Sequence, residues 1–306
     1  MLSSFFSKSK PINFIIVALY MFVLYAIAYY KKGFTLNYST ILMFFGGFMA
    51  YGLTMLTVNL ITQKNDLTQK STNTIMLFVF LTTILPSSLT NAALLLSNLF
   101  VVLGMRSVLN LRNGKHIKSN ILDASLCIGV ASIAYFWSIG FIAIVFLGIF
   151  YFEPKNYRNW IIPIIGLLIV YLISNCFTLL FYDSFFVISE YIEPISFSVE
   201  GYAYKGGVFS IGVLTICTLF FFTIYLIKFN RKPTKSKPFL KLIISQLLIA
   251  IAIVMIVPNK NTAEMVFIAC PLAIIGTTYL EMDHGKFLQE INFWVFLLLP
   301  FMFLLF

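Results

Sequence analysis

Long apolar runs separated by short polar breaks dominate the pattern of this chain. A helix that crosses a bilayer needs about 20 mostly apolar residues, so each long run predicts one crossing. The pattern therefore predicts an all-α fold, a polytopic transmembrane helical bundle of about eleven spans. The predicted spans lie near residues 12–30, 39–62, 72–86, 88–109, 120–136, 138–152, 160–182, 207–228, 239–257, 263–280 and 291–306.

Two of the apolar regions are too long for a single helix. Residues 72–109 are interrupted at Pro86-Ser87-Ser88, and residues 120–152 are interrupted near Trp137-Ser138. Such clusters are turn signals, so each region is interpreted as a tight helical hairpin. Two single helices in their place would give nine spans, but helices of that length exceed the bilayer thickness.

Composition agrees with a membrane protein. The chain is 60% hydrophobic and 10% charged, whereas soluble domains carry about 25% charged residues. No stretch between the predicted spans is long enough for a separate soluble domain, so residues 1–306 are expected to form one transmembrane domain.

The distribution of basic residues predicts the orientation. With eleven spans, 17 of the 21 Lys and Arg fall on the side of the N-terminus and 4 fall on the opposite side. The positive-inside rule places the N-terminus in the cytoplasm and the C-terminus in the periplasm of a bacterial inner membrane. The same rule accounts for the net charge of +10, so nucleic acid is not an expected partner.

Few ionisable residues fall inside the predicted spans. Amides there commonly bond between helices, and acids are favoured where a helix begins. The spacing of Asn91 and Asn98 places them on one side of a helix, where they could instead line a polar cavity. The candidate intramembrane polar residues are Asn91, Asn98, Asp123, Asn175 and Glu264.

The predicted periplasmic loop, residues 183–206, combines carboxylates with aromatic rings. Such a loop could bind a cation, a sugar or a partner protein, or lie as an amphipathic segment on the membrane. Its candidate binding residues are Asp183, Glu190, Glu193, Glu200, Tyr191 and Tyr202. No catalytic motif, metal-ligand spacing or phosphate-binding loop is present, so no catalytic residue, metal or cofactor is predicted.

One segment carries a family resemblance. Residues 123–174 open on Asp123-Ala124, pause at Tyr135-Phe136 between short spans, and enter the next helix at Arg158-Asn159-Trp160. This segment resembles an uncharacterised multi-pass inner-membrane protein family of flavobacteria and related Bacteroidota. The resemblance implies a multi-pass membrane protein and no established activity.

The short paired helices and the aromatic loop also resemble membrane glycosyltransferases that use polyprenol-linked sugars. Those enzymes keep a catalytic acid in the first external loop, but residues 31–37 of this chain contain no carboxylate. Asp183 or Glu193 would have to replace it.

The leading functional hypothesis is a non-catalytic inner-membrane subunit of a larger cell-envelope complex. Its expected partners are membrane lipid and other membrane or envelope proteins. The alternatives are a polyprenol-linked-sugar glycosyltransferase or lipid-handling enzyme, and a transporter with Asn91 and Asn98 along its pathway.

Overall fold

A computed structural model describes residues 11–33, 37–65, 71–203, 205–229, 236–258, 260–282 and 286–305. All regular structure in these ranges is helical, which confirms the predicted all-α class. Phe306, the last residue of the predicted final span, lies outside them. The helices are α1 Pro11–Lys31, α2 Tyr38–Lys64, α3 Asn73–Thr83, α4 Pro86–Leu89, α5 Ala92–Asn110, α6 Ile117–Ala134, α7 Ile142–Phe152, α8 Arg158–Tyr182, α9 Ile188–Tyr191, α10 Lys205–Phe229, α11 Lys237–Ile256, α12 Val266–Leu280 and α13 Lys286–Leu305.

Eight of the helices in the described ranges are long and apolar enough to cross a membrane. They indicate a membrane protein. Their apolar stretches are Pro11–Lys31, Tyr38–Lys64, Ala92–Asn113, Ile117–Ala134, Arg158–Tyr182, Gly206–Phe229, Lys237–Ile256 and Ala263–Leu280. Three shorter apolar helical stretches are Asn73–Thr83, Phe136–Phe152 and Glu290–Phe303.

Both interrupted apolar regions contain a change of helix direction. In the first, α3 ends at Thr83, and Pro86 begins the one-turn helix α4, where its missing N–H costs nothing. The side chain of Asn91 then caps α5 by accepting a hydrogen bond from Leu94 N at 3.2 Å. In the second, α6 ends at Ala134, and a 3-10 turn over Phe136–Phe141 leads into α7.

The centre of the bundle is formed by α3 and α12, which pack directly against each other. Every residue of α3 from Ile75 to Thr83 except Met76 is buried. Buried hydroxyls join the two helices, since Thr277 Oγ1 and Thr74 Oγ1 lie 3.1 Å apart. α10, α11 and α13 surround this pair, whereas α8 lies at the periphery against α6.

Hydrogen bonds between connections divide them between two ends of the bundle. At one end, Lys32 Nζ donates to Thr90 O at 3.1 Å, and the hydroxyls of Ser87 and Thr262 are 2.6 Å apart. We call this the loop end, because residues 183–203 cover it. At the other end, which we call the basic end, Lys64 Nζ donates to Asn110 Oδ1 at 3.0 Å.

Candidate functional site

The acidic loop, which we define as residues 183–203, joins α8 to the region before α10 and begins with a fixed turn. Asp183 adopts a left-handed conformation at the end of α8 (φ 52°), which short polar side chains tolerate. Asn175 then holds the returning chain, because its Oδ1 accepts from Phe186 N at 3.2 Å while its Nδ2 donates to Tyr171 O at 2.9 Å. Asn175, a predicted intramembrane candidate, therefore anchors this loop.

The middle of the acidic loop is attached to two other connections. The indole Nε1 of Trp137 donates to Glu193 Oε2 at 3.0 Å. The backbone N–H of Ser196 donates to Ile256 O at 3.0 Å, at the end of α11. These bonds bring Glu193, a predicted loop candidate, onto the turn between α6 and α7.

The last part of the acidic loop contacts a buried carboxylate. Glu264 lies in the 3-10 turn before α12 and is only 1% exposed. Tyr202 OH donates to its Oε1 at 2.6 Å, and Asn261 N–H points to its Oε2 at 3.4 Å. Burial, and then the bond and negative charge of Glu264, raise the pKa of Tyr202, so the phenol keeps its proton and remains the donor.

Close backbone contact reinforces this attachment. A Cβ atom on Gly201 would overlap the carbonyl oxygen of Lys260, so only glycine allows the loop to come this near. Lys260 is 7% exposed, donates from Nζ to Met255 O at 3.0 Å, and places its ammonium 6.0 Å from the ring centroid of Tyr202. The loop is thus held near its start, in its middle and at its end.

The outward face of the acidic loop is charged and apolar at once. Asp183, Glu190 and Glu200 are exposed, and Glu193 is half-buried against Trp137. Among the predicted aromatic candidates, Tyr191 is exposed, whereas Tyr202 turns inward to Glu264. The exposed large apolar side chains of this loop are Phe185, Val187, Ile188, Tyr191, Ile192, Ile195, Phe197 and Val199.

The remaining intramembrane candidates have separate partners. Asn91 precedes α5 and caps it, whereas Asn98 is buried and its Nδ2 lies 3.5 Å from Cys270 Sγ on α12. The two amides therefore do not share one environment. Asp123 is exposed in the second turn of α6, which begins at Ile117. Within the described ranges, no group of three His, Cys, Asp or Glu side chains is placed to hold a metal ion.

Sequence pattern alone does not identify Trp137, Gly201 and Lys260 as members of this site. Each lies in a different connection, and only the folded bundle brings the three connections together. A signal does exist for Trp137, because a tryptophan in a short turn between two apolar helices marks a membrane boundary. No comparable signal distinguishes Gly201 or Lys260.

Comparison with known proteins finds no matching curated protein and no matching solved structure. One family matches over residues 1–306, which is the whole of the given sequence. This result agrees with the resemblance to an uncharacterised family, while the bacterial group stays a prediction. The chain belongs to a family of unknown function, DUF6427.

Proposed function

We propose that this protein is a non-catalytic integral subunit of a larger assembly in a bacterial inner membrane. One observation carries the proposal: the acidic loop is held by hydrogen bonds at the loop end yet exposes a row of large apolar side chains. Exposed apolar patches mark sites of contact with another protein or with a membrane, and the charge of the loop favours a protein. The loop is the surface offered to that partner.

The proposed topology has eleven crossings, with the loop end in the periplasm and the basic end in the cytoplasm. The bonds between connections support it, because Ser87 meets Thr262 at the loop end while Ser71 Oγ meets Glu281 Oε1 at 3.3 Å at the basic end. This alternation needs α3, the stretch Phe136–Phe152 and α13 to cross as well as the eight longer helices. The excess of Lys and Arg on the side of the N-terminus orients the bundle.

A protein partner fits the acidic loop better than the membrane surface does. Exposed carboxylates at Asp183, Glu190 and Glu200 are repelled by anionic lipid headgroups, to which basic residues are normally attracted. Opposite charges across an interface guide and orient association. The partner is therefore expected to present basic and apolar side chains toward this loop.

The contacts of Glu264, Glu193 and Asn98 support a structural role for these three groups over catalysis or transport. Both oxygens of Glu264 face donors within the protein, and one oxygen of Glu193 accepts from an indole. A catalytic carboxylate must instead reach its substrate with a free oxygen. The amide of Asn98 faces a thiol in the packed centre, where it joins α5 to α12.

Purification in mild detergent tests the proposal. The tagged chain is extracted from its native membrane, and co-purifying proteins are quantified by mass spectrometry. We expect one or more proteins in fixed stoichiometry, recovered again when the tag is moved to them. Recovery of the intact chain alone from several mild detergents would contradict the proposal.

Loop variants assign the partner to the proposed surface. Phe197→Ser and Glu200→Lys change exposed loop residues and should release the partner without unfolding the chain. Tyr157→Ser is the matched control, because Tyr157 is 70% exposed at the basic end and Phe197 is 69% exposed. If Tyr157→Ser releases the partner and Phe197→Ser does not, the acidic loop is not the docking surface.

A further inference from the structure

A cavity of about 370 Å³ lies between α6 and α8, directly beneath the first half of the acidic loop. Ser132 and Ile133 contribute its α6 wall, and Ile164 to Ser174 contribute its α8 wall. Phe186 and Tyr191 of the acidic loop close its top. This volume is within the range of roughly 300–1,000 Å³ that is usual for ligand sites.

The cavity wall offers almost nothing to a polar ligand. Its two serine hydroxyls are already used within their own helices, since Ser132 Oγ donates to Gly129 O at 2.6 Å and Ser174 Oγ donates to Val170 O at 2.9 Å. Most other lining side chains are aliphatic or aromatic. An apolar cavity of this kind does not hold ordered water, so its natural content is hydrocarbon.

The length of the cavity is that of an acyl chain within one leaflet of a bilayer. Along α8 the lining runs from Ile164 to Ser174, and ten residues of helix measure about 15 Å at 1.5 Å per residue. Half of the roughly 30 Å hydrocarbon core of a bilayer has the same length. The lining occupies the middle section of α8, and the acidic loop borders the end of the cavity nearest Ser174.

The charge at the top of the cavity selects a headgroup. Asp183 lies three residues before Phe186 and Glu190 lies directly before Tyr191, and both carboxylates are exposed. The acidic loop contains four carboxylates and no Lys or Arg. Such a field attracts an ammonium group and repels an anionic headgroup.

We propose that this cavity binds one acyl chain of a phospholipid with an amine-bearing headgroup from the leaflet at the loop end. The chain fills the space between α6 and α8, and the headgroup ammonium lies near the carboxylates of Asp183 and Glu190. The bound lipid thereby completes the packing of α8, whose apolar window is only 11% buried by protein. This site uses the first half of the acidic loop, whereas the partner proposed above is tested at Phe197 and Glu200 in its second half, so each proposal can fail without the other.

Competition between lipids tests the proposal. The purified full chain is stripped by detergent exchange and then exposed to mixed micelles with equal amounts of phosphatidylethanolamine, phosphatidylglycerol and a polyprenyl phosphate. Native mass spectrometry measures which lipid each chain retains. We expect about one phosphatidylethanolamine per chain, preferred over phosphatidylglycerol by about tenfold, the ratio that roughly 1.4 kcal/mol produces.

Two variants fill the cavity from opposite walls, Ser132→Phe on α6 and Ser174→Phe on α8. Each should lower retained phosphatidylethanolamine by about tenfold. Thr223→Phe on α10 is the control, because Thr223 is exposed away from the cavity and its hydroxyl also donates to its own helix, at Phe220 O. It should retain the lipid as the wild type does.

The melting temperature of each variant separates lost binding from lost folding. If one filled variant fails to fold, the other, on the opposite helix, provides the result. Equal retention of phosphatidylethanolamine by folded filled variants and Thr223→Phe would overturn the proposal. A wild-type preference for phosphatidylglycerol or polyprenyl phosphate would overturn it without any variant.

Discussion

The central helix α12 and the peripheral helix α8 are both long and apolar, but their surroundings are opposite. Protein buries 89% of the apolar window that contains α12 and only 11% of the window of α8. Both windows are strongly apolar. In a soluble protein a helix that is apolar all round is normally buried.

The difference reflects what holds helices together in lipid. Lipid solvates leucine as well as a protein interior does, so apolarity gives no drive toward the centre of the bundle. Close packing and buried hydrogen bonds decide instead, and small residues favour both. α12 carries Ala269, Ala273, Gly276 and Thr277 on its buried surface, whereas α8 exposes Leu168, Leu172 and Ile173.

The largest expected effect comes from adding volume at Gly276. A Cβ atom there would lie 2.5 Å from Leu77 Cδ2 and 2.9 Å from Phe221 Cδ2, so Gly276→Leu forces α12 away from α3 and α10. We expect a loss of about 3 kcal/mol or more in the free energy of unfolding, measured by denaturation in detergent. Gly212→Leu on α10 meets open space and should leave stability unchanged. Equal effects would contradict the packing of α12.

Removing the same atoms from α12 and α8 tests the comparison directly. Leu272 is fully buried and Leu172 is 53% exposed. Leucine to alanine costs about 2–5 kcal/mol in soluble cores, and Leu272→Ala should fall near 2 because lipid removes the transfer part of this cost. Leu172→Ala should stay within about 0.5 kcal/mol. Thermal unfolding of both variants in the same detergent gives the difference, and a larger loss at Leu172 would reverse the assignment of centre and periphery.

The acidic loop joins these two regions, because it begins at α8 and ends against the turn before α12. Tyr202→Phe leaves the buried carboxylate of Glu264 without its 2.6 Å donor, which should cost about 1–2 kcal/mol and speed hydrogen exchange in residues 196–203. Glu200→Gln, on the exposed side of the same turn, is the control. Unchanged exchange in Tyr202→Phe would show that this bond does not hold the loop.

The same bond predicts a direction with pH. The pKa of Tyr202 is raised in the folded protein, so folding favours the protonated phenol. Its contribution to stability is complete below the unfolded value of about 10 and is lost as the pH rises from there toward the folded value. Hydrogen exchange of residues 196–203, corrected for its intrinsic pH dependence, should be constant from about pH 6 to about pH 9. It should become faster as the pH rises beyond about 10. An increase on the acid side of neutrality would contradict this assignment.

The smallest expected effect concerns the hydroxyl of Thr277. It bonds to Thr74 Oγ1 on α3 and to Ala273 O on its own helix. Hydrogen bonds between membrane helices contribute about 0.6 kcal/mol on average, so Thr277→Val should lower the free energy of unfolding by about that amount. Thr223 on α10 is exposed, so Thr223→Val should have no measurable effect on the free energy of unfolding. A loss above about 2 kcal/mol at Thr277 would show that polar contacts, more than packing, hold the centre together.

The helical class follows from the sequence because a bilayer allows few structures to cross it. Backbone groups in hydrocarbon must bond within the chain, so long apolar runs predict helices without knowledge of their neighbours. The clusters at Pro86-Ser87-Ser88 and near Trp137-Ser138 also mark places where the described helices end and restart. The pattern does not predict that α3 is short, since its eleven residues are too few for a typical membrane-spanning helix.

The candidate site was predicted only in part. Composition singled out the acidic loop and Glu264, because carboxylates are rare in this chain and costly near lipid. Composition does not show that the acidic loop contacts Glu264. Tyr202 and Glu264 are 62 residues apart, and nothing in the local pattern of either connection points to the other. The sequence predicts Asn175 as an intramembrane amide, and its bond to Phe186 N of the loop is visible only in the folded chain.

Local sequence alone is enough to establish that this chain is helical, apolar enough for a membrane, and richer in basic than in acidic residues. Those properties depend on each residue and its near neighbours, so they survive without a three-dimensional arrangement. The central position of α12, the peripheral position of α8 and the cavity between α6 and α8 are visible only in the folded chain. All apolar helices are nearly equivalent to lipid, so the order of their packing depends on side-chain fit between distant segments, which no local pattern encodes.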